Sequence, residues 1–452
     1  MCQFQYARSH PIVHRLACIA RSNRLYLEAN VIDIQPCPSA GKMACTKFRD
    51  GLFAYNTAVL FDRSGTLLAK YHKMHLFPTE SFKNTPPTME LVSVATSIGR
   101  LGLQTCFDLL YKSPGHELVR RGLVDTVLFS TSWYDQFPFL SANQFQWSWA
   151  NAHSVNLLAA NIHYPQFGKK GSGLYAGSSG EFEIVDFLDG ESRVLVSNLP
   201  INSSSSGKCP SNAKQVKIEQ EAPIFKHDAR IDAYHLELNQ KEVSMVPLWS
   251  SRQFQQNCAG GVCCFVDYKF DYSSLHLSDE FYLIVSNRTK PGPFLFTEEF
   301  CAVVHCPRRF EPCSMMRSNF PLQTKFHYLN LYGQFGLNTT VYASVIGSQH
   351  QLVKKGNSWN YRKINLLPNV FDFLAKIEIE QTEILHGKRR RNRKEKFTKP
   401  NMTDDSGKQL HALEVGTFNG LNSFALGTVA LYGRPYHRDP PFVHQPLDIS
   451  LN

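Results

Sequence analysis

No run of about 18 or more apolar residues occurs in the 452-residue chain, which excludes a membrane-spanning helix. The paired C-x₂-C spacing of a zinc module is missing too, although there are twelve cysteines. Cys263 and Cys264 are adjacent, and Cys301, Cys306 and Cys313 fall close together, so the set reads as a disulfide framework rather than a metal site. Cys18 and Cys106 are the two expected to stay reduced. No internal repeat appears, and helical periodicity is scarce in the second half. The opening residues "MCQFQYARSHPIVHRLACIARSN" lack the basic stretch and apolar core of an export signal. The closing "YHRDPPFVHQPLDISLN" lacks the apolar tail of a lipid-anchor signal.

What is present points outward. Four N-x-S/T sequons, at Asn202, Asn287, Asn338 and Asn401, fit a secreted glycoprotein surface, as do the cysteines. The missing export signal then implies that the true start lies upstream of Met1. The formal charge of +10 is concentrated: "KRRRNRKEKFTK", Lys388 to Lys399, carries +7 of it. Without a nucleic-acid motif, that run reads as a solvated loop with polyanions as its one suggested partner; nucleic acid is not expected.

The length exceeds what one core organises, so two domains are predicted. From about Arg24 to Leu199 strand-like and helix-like runs alternate. "RLYLEANVIDI" reads as a buried strand, and "CPSAGKMAC" as a loop that a Cys37–Cys45 disulfide would close. "YNTAVLFDRSGTLLAKYHK" reads as two strands around Arg63-Ser64-Gly65. "LGLQTCF" is another strand, and "PGHELVRRG" a helix opened by Pro and closed by Gly. "SANQFQWSWANAHSV" reads as a helix opened by Ser141, between the strands "VDTVLFSTS" and "NLLAANIHYP". This is an α/β layered domain over residues 1–205. "INSSSSGKCPSNAKQ" breaks the rhythm. Residues 216–452 then read as a β-rich domain with a basic insertion near 386–408.

Cys106 ends an apolar strand on a sharp strand-to-helix turn, which would aim its sulfur out of the sheet and present the Phe107 backbone N–H to an oxyanion. A thiol is a weak nucleophile at neutral pH unless a cation or base is near, and Lys73 of "AKYHKMHLF" is the candidate cation. Glu80, just after that motif, is the third residue that stands out. His72, His75 and His163 are read as structural rather than as partners of the thiol. Trp133, Phe137, Phe139 and Trp147 are candidate pocket aromatics. A thiol nucleophile needs no metal or organic cofactor, and none is expected.

The stretches "YNTAVLFDRSGTLLAKYHKMHLF", "GLQTCFDLLYKSPG", "LFSTSWYDQFPFLSANQFQWSWA", "LAANIHYPQFGKKGSGLYAG" and "NCAGGVCCFVDY" resemble, in order, the vanin and biotinidase branch of the nitrilase superfamily. That resemblance implies an α-β-β-α sandwich, here without its first strands, followed by a β-rich base domain. It implies hydrolysis of linear amides by a Glu-Lys-Cys triad through a thioester, with pantetheine as the first substrate and biotin amides the second. By position, Cys106 matches the nucleophile, Lys73 the lysine stabilising the tetrahedral intermediate, and Glu80 the supporting acid. The general-base Glu of an "FPE"-type motif is absent, and Glu28, inside a strand, is no replacement. Loss of such a base costs about 10²–10⁴ in rate. The chain as given is therefore expected to be crippled; the alternative is a non-catalytic secreted glycoprotein that binds through the same scaffold.

Overall fold

The computed structural model describes residues 2, 6–37, 51–80, 83–185, 191–200, 234–235, 243–290, 295–307, 322–347, 353, 355, 359–364, 408–416 and 423–441. Asn202, Asn401, Cys45, the 201–215 linker and the basic run Lys388 to Lys399 lie outside them. The chain divides into two compact units, one built from residues 1–236, 291–296 and 439–452, the other from 237–290 and 297–438.

The first unit opens with α1 (Tyr6–Ser9) and α2 (Pro11–Asn23), the latter with Pro at its start and a left-handed Arg24 at its end. Strands β1 (Leu27–Pro36), β2 (Leu52–Phe61) and β3 (Leu67–His72) form an antiparallel sheet in that order. Asp62 turns β2 into β3: its Oδ1 accepts from the backbone N–H of Ser64 and Thr66, both at 2.8 Å. Gly65 completes the turn at φ +78°, where an added Cβ would meet the Ala17 carbonyl oxygen at 2.4 Å. Only glycine fits there.

Next come β4 (Ser93–Thr96), β5 (Gly99–Thr105), α3 (Glu117–Arg120), β6 (Thr126–Thr131), the short β7 (Gln136–Phe137), α4 (Ala142–His153), β8 (Asn156–Asn161), β9 (Ser172–Ala176) and β10 (Glu181–Val185). Six of these strands make a sheet in the order β10-β9-β8-β6-β5-β4, in which β5, β6 and β8 run parallel. The bridge-length β11 (Tyr234–His235) pairs with β7. Ala58, Leu60 and Tyr71 of the first sheet pack against Leu101 and Leu103 of the second. Behind the first sheet, Ala17 and Ala20 of α2 pack on Val59 and Phe61. Helix α4 covers the second sheet through β8 and β9. The layering is α-β-β-α.

Three local expectations change. Strand β1 is not buried: it is the outer strand of its sheet, and Ile32 and Ile34 on one face are 59% and 61% exposed. The helix after Cys106 is a single turn, α3, because Pro114 sits in an irregular segment (Lys112–His116) instead of at a helix start. Cys18 is not reduced: it is bonded to Cys2, Cα to Cα 4.8 Å, since the segment ahead of α2 lies beside that helix. Cys37 is also disulfide-bonded.

The second unit is antiparallel throughout. It contains β12 (Ser244–Pro247), β13 (Phe254–Ala259), β14 (Val262–Phe270), β15 (Asp279–Thr289), β16 (Thr297–Pro307), β17 (Phe326–Gly336), β18 (Thr340–Gly347), β19 (Trp359–Ile364), β20 (Lys408–Val415) and β21 (Leu426–Arg434). They form two five-stranded sheets, β12-β15-β16-β21-β18 and β13-β14-β17-β20-β19. Successive strand residues face opposite ways, so the adjacent Cys263 and Cys264 serve different partners. Cys263 bonds Cys258 across the β13–β14 hairpin, while Cys264 bonds Cys301 of the other sheet. The second link closes 37 residues of chain between two sheets.

Replacing both Cys264 and Cys301 by Ala is expected to lower the stability of this unit by about 2–5 kcal/mol. Urea titration followed by tryptophan fluorescence measures it; an unmoved midpoint would count against the link as a staple.

Candidate active site

Lys73 follows β3 directly. Its backbone N–H donates to the Asn56 carbonyl at 2.8 Å, and the side chain is only 1% exposed. Burying an ammonium group costs several kcal/mol unless it is paired. The pairing comes from the short 3₁₀ turn Pro78–Glu80: Lys73 Nζ donates to Glu80 Oε2, which also accepts from the Phe77 backbone N–H at 3.0 Å. Glu80 Oε1 accepts from Asn56 Nδ2 and from Lys83 Nζ, the latter at 3.1 Å. Asn56 in turn accepts from Asn30 Nδ2 at 2.6 Å. Burial pushes the Glu80 carboxyl up, but Lys73 and these donors outweigh it and hold the group at about 2. Burial likewise pushes Lys73 down, and the opposing charges of Cys106, Glu80 and Asp108 leave it raised. It is a permanent cation.

Cys106 sits immediately past β5, at the first position of the 3₁₀ turn Cys106–Leu110, with φ +50°. A residue with a β-carbon rarely adopts this left-handed conformation. Phe107 packs edge-on to Phe77, ring centres 5.6 Å apart. Two residues on, the fully buried Asp108 ties this turn to the Lys73 loop: its Oδ2 accepts from the Tyr71 hydroxyl and its Oδ1 from the His75 backbone N–H, both at 2.7 Å. Burial raises the Asp108 carboxyl to about 7, against the pull of Lys73 and these donors. Cys106 is the free cysteine of the described residues.

Lys73 and Cys106 line one cavity of about 590 Å³. Its floor is the ends of β5, β6 and β8 (Thr105, Ser130, Thr131, Ala160 and Asn161), the usual ligand position at the carboxyl ends of parallel strands. Among the described residues Glu80 is the one carboxylate lining it. Glu28, on β1, lies against Ser130 with its Oε1 buried and unpartnered, and burial raises it to about 7; it does not line the cavity.

Other candidates fall elsewhere. His72 turns away to Glu90 and Asp33, His75 caps the Ser113 carbonyl, and neither they nor His163 line the cavity. Trp133, Phe139 and Trp147 are core residues: Trp133 stacks on Phe145 and donates to the Leu140 carbonyl, and Trp147 donates to the Gly180 carbonyl. The Phe137 side chain lies outside the described ones. Phe77 and Tyr134 supply the cavity's aromatic surface instead. Asn30, Asn56, Lys83, Asp108 and Lys169 are the site and support residues that sequence reasoning missed. A polar Asn56 inside the apolar run "YNTAVLF" was the available signal.

An α-β-β-α sandwich with a cysteine turn at its parallel strand ends is the frame of a carbon-nitrogen hydrolase, and residues 3–151 match the carbon-nitrogen hydrolase family. Residues 233–372 match the vanin C-terminal domain. The chain is 32% identical to human pantetheinase over 349 residues, covering 76% of this chain and 64% of that protein. It is 42% identical to dog pantetheinase over 189 residues, 42% of this chain and 36% of that one. Identity to human biotinidase is 29% over 351 residues, 72% and 62% of the two chains. The chain thus spans less than two thirds of the length of these relatives. It belongs to the vanin and biotinidase branch of the carbon-nitrogen hydrolases.

The Glu80 carboxyl, held at about 2 against an ordinary 4.5, stabilises the fold fully above pH 4.5, and that contribution drains as pH falls through about 2. Glu80→Gln should therefore cost about 3–5 kcal/mol at pH 7. The gap in melting temperature from the native chain should close as pH approaches 2. A gap of equal size at pH 7 and at pH 2.5 would refute the ion pair's role.

Proposed function

We propose that this protein hydrolyses linear amides through Cys106. The observation that carries the reading is the pairing, in one cavity, of a thiol on a left-handed turn with a buried, permanently charged lysine. The Cys106 sulfur attacks the amide carbonyl carbon, and the resulting oxyanion faces Lys73 Nζ and the Phe107 backbone N–H. The C–N bond breaks, the amine departs with a proton, and a thioester remains on Cys106. Water then attacks that carbonyl, releasing the carboxylic acid and the thiol.

Glu80 serves as an anchor for Lys73 and not as the base, because a carboxyl held at about 2 accepts a proton poorly at neutral pH. The base that takes the thiol proton is not among the described cavity residues. Pantetheine-like amides are the first substrates to try and biotin amides the second, by relation to the pantetheinases and biotinidases. The disulfides favour work in an oxidising compartment. Of the described sequons, Asn338 stands exposed on a turn and is the better glycan acceptor, whereas the Asn287 amide donates to the Gly260 carbonyl at 2.6 Å.

With pantetheine and biotinyl amides, Cys106→Ala should fall to background and Lys73→Met should lose about 10²–10³ in rate. Mass spectrometry during turnover should find the acyl group on Cys106. That Glu80 is the one carboxylate among the described cavity residues, and is committed to Lys73, favours a second reading, a binding protein on a hydrolase scaffold. Equal rates for the native chain and Cys106→Ala would select it.

A further inference from the structure

The cavity's charge is unbalanced in a way that the hydrolytic steps do not use. Among the described residues, Lys73, Lys83 and Lys169 line it against one carboxylate, Glu80. Lys73 and Lys83 both spend their charge on that carboxylate. Lys169 does not. Its ammonium lies 4.3 Å above the centre of the Tyr134 ring, and no ion pair joins it to any of the described residues. A cation over an aromatic face keeps most of its capacity for an anion, since the ring supplies polarisable density and not a countercharge.

The backbone that bears the lysine is also tied down. Backbone hydrogen bonds close the loop on itself, Tyr164 N–H to the Lys169 carbonyl at 2.6 Å and the reverse at 3.3 Å, around the 3₁₀ turn Pro165–Phe167 and a left-handed Gly168. The Gly168 carbonyl accepts from the Asp135 N–H at 2.8 Å, which fastens this loop to the segment bearing Tyr134.

We propose that the cavity takes an amide bearing a carboxylate at the end remote from the scissile bond, and that Lys169 receives this carboxylate. The amide rests on the hydrolase reading above; the preference for negative charge does not. Lys169 is a specificity residue.

The test uses a thiol reagent with and without a remote carboxylate: 3-maleimidopropanoate and the uncharged 3-maleimidopropanamide, with Cys106 alkylation on the full chain timed by mass spectrometry. The uncharged reagent reports whether each variant keeps its cavity. Lys169→Met should lower the ratio of acid to amide rates about three- to fivefold. Lys169→Arg should preserve that ratio, and added salt should reduce it in the native chain. A ratio unchanged in Lys169→Met overturns the proposal. Neither reagent requires turnover. A Lys169-dependent ratio with no amide hydrolysed would sink the hydrolase reading alone, whereas hydrolysis with a ratio indifferent to Lys169 would sink this inference alone.

Discussion

The site is organised around one buried positive charge. An ammonium group at 1% exposure has lost its water, and the first sheet and its following loop are arranged to replace what water provided. Glu80 supplies the countercharge, and because its own carboxylate is then half-buried it recruits Asn56, Lys83 and the Phe77 N–H. Asn56 recruits Asn30 from the neighbouring strand. The requirement propagates until it reaches the edge of the sheet. A side chain two hydrogen bonds removed from Glu80, such as Asn30, is thereby committed to the geometry of the centre.

Asp108 solves the complementary problem of holding the two halves in register. Lys73 belongs to one sheet and Cys106 to the other, so their approach depends on how the sandwich closes. The apolar contact of Ala58, Leu60 and Tyr71 with Leu101 and Leu103 brings the sheets together without much directional preference. The carboxylate, accepting from Tyr71 and from the N–H of His75, gives that closure a direction on both sides of Lys73. Hydrophobic burial sets the distance and hydrogen bonding sets the alignment.

The legible part of this arrangement was its layers and the local contexts of three residues that share the cavity. Cys106, Lys73 and Glu80 lie in local contexts (a strand end, the residue after a hairpin, a short Pro-containing turn) that sequence exposes directly. Asn56, Asp108 and Lys169 depend on what faces them across sheets or loops, which no single stretch records. Aromatic residues misled for the same reason: Trp133, Phe139 and Trp147 share the segment of the cavity residue Tyr134, but strand and helix periodicity turns them into the core. Cys18 was misjudged because its partner, Cys2, stands where composition gives no sign of structure. Strand β1 looked buried from its apolar content, yet the sheet face that carries Ile32 and Ile34 lies in water.

The positive φ at Cys106 also shapes which sequences this turn tolerates. Any residue with a β-carbon there sits about 1–2 kcal/mol above its relaxed backbone. Glycine would escape that strain, so drift toward thermodynamic comfort at this position runs toward a more robust but chemically silent protein. The thiol at this bend is thus carried at a cost in backbone energy that glycine would not bear.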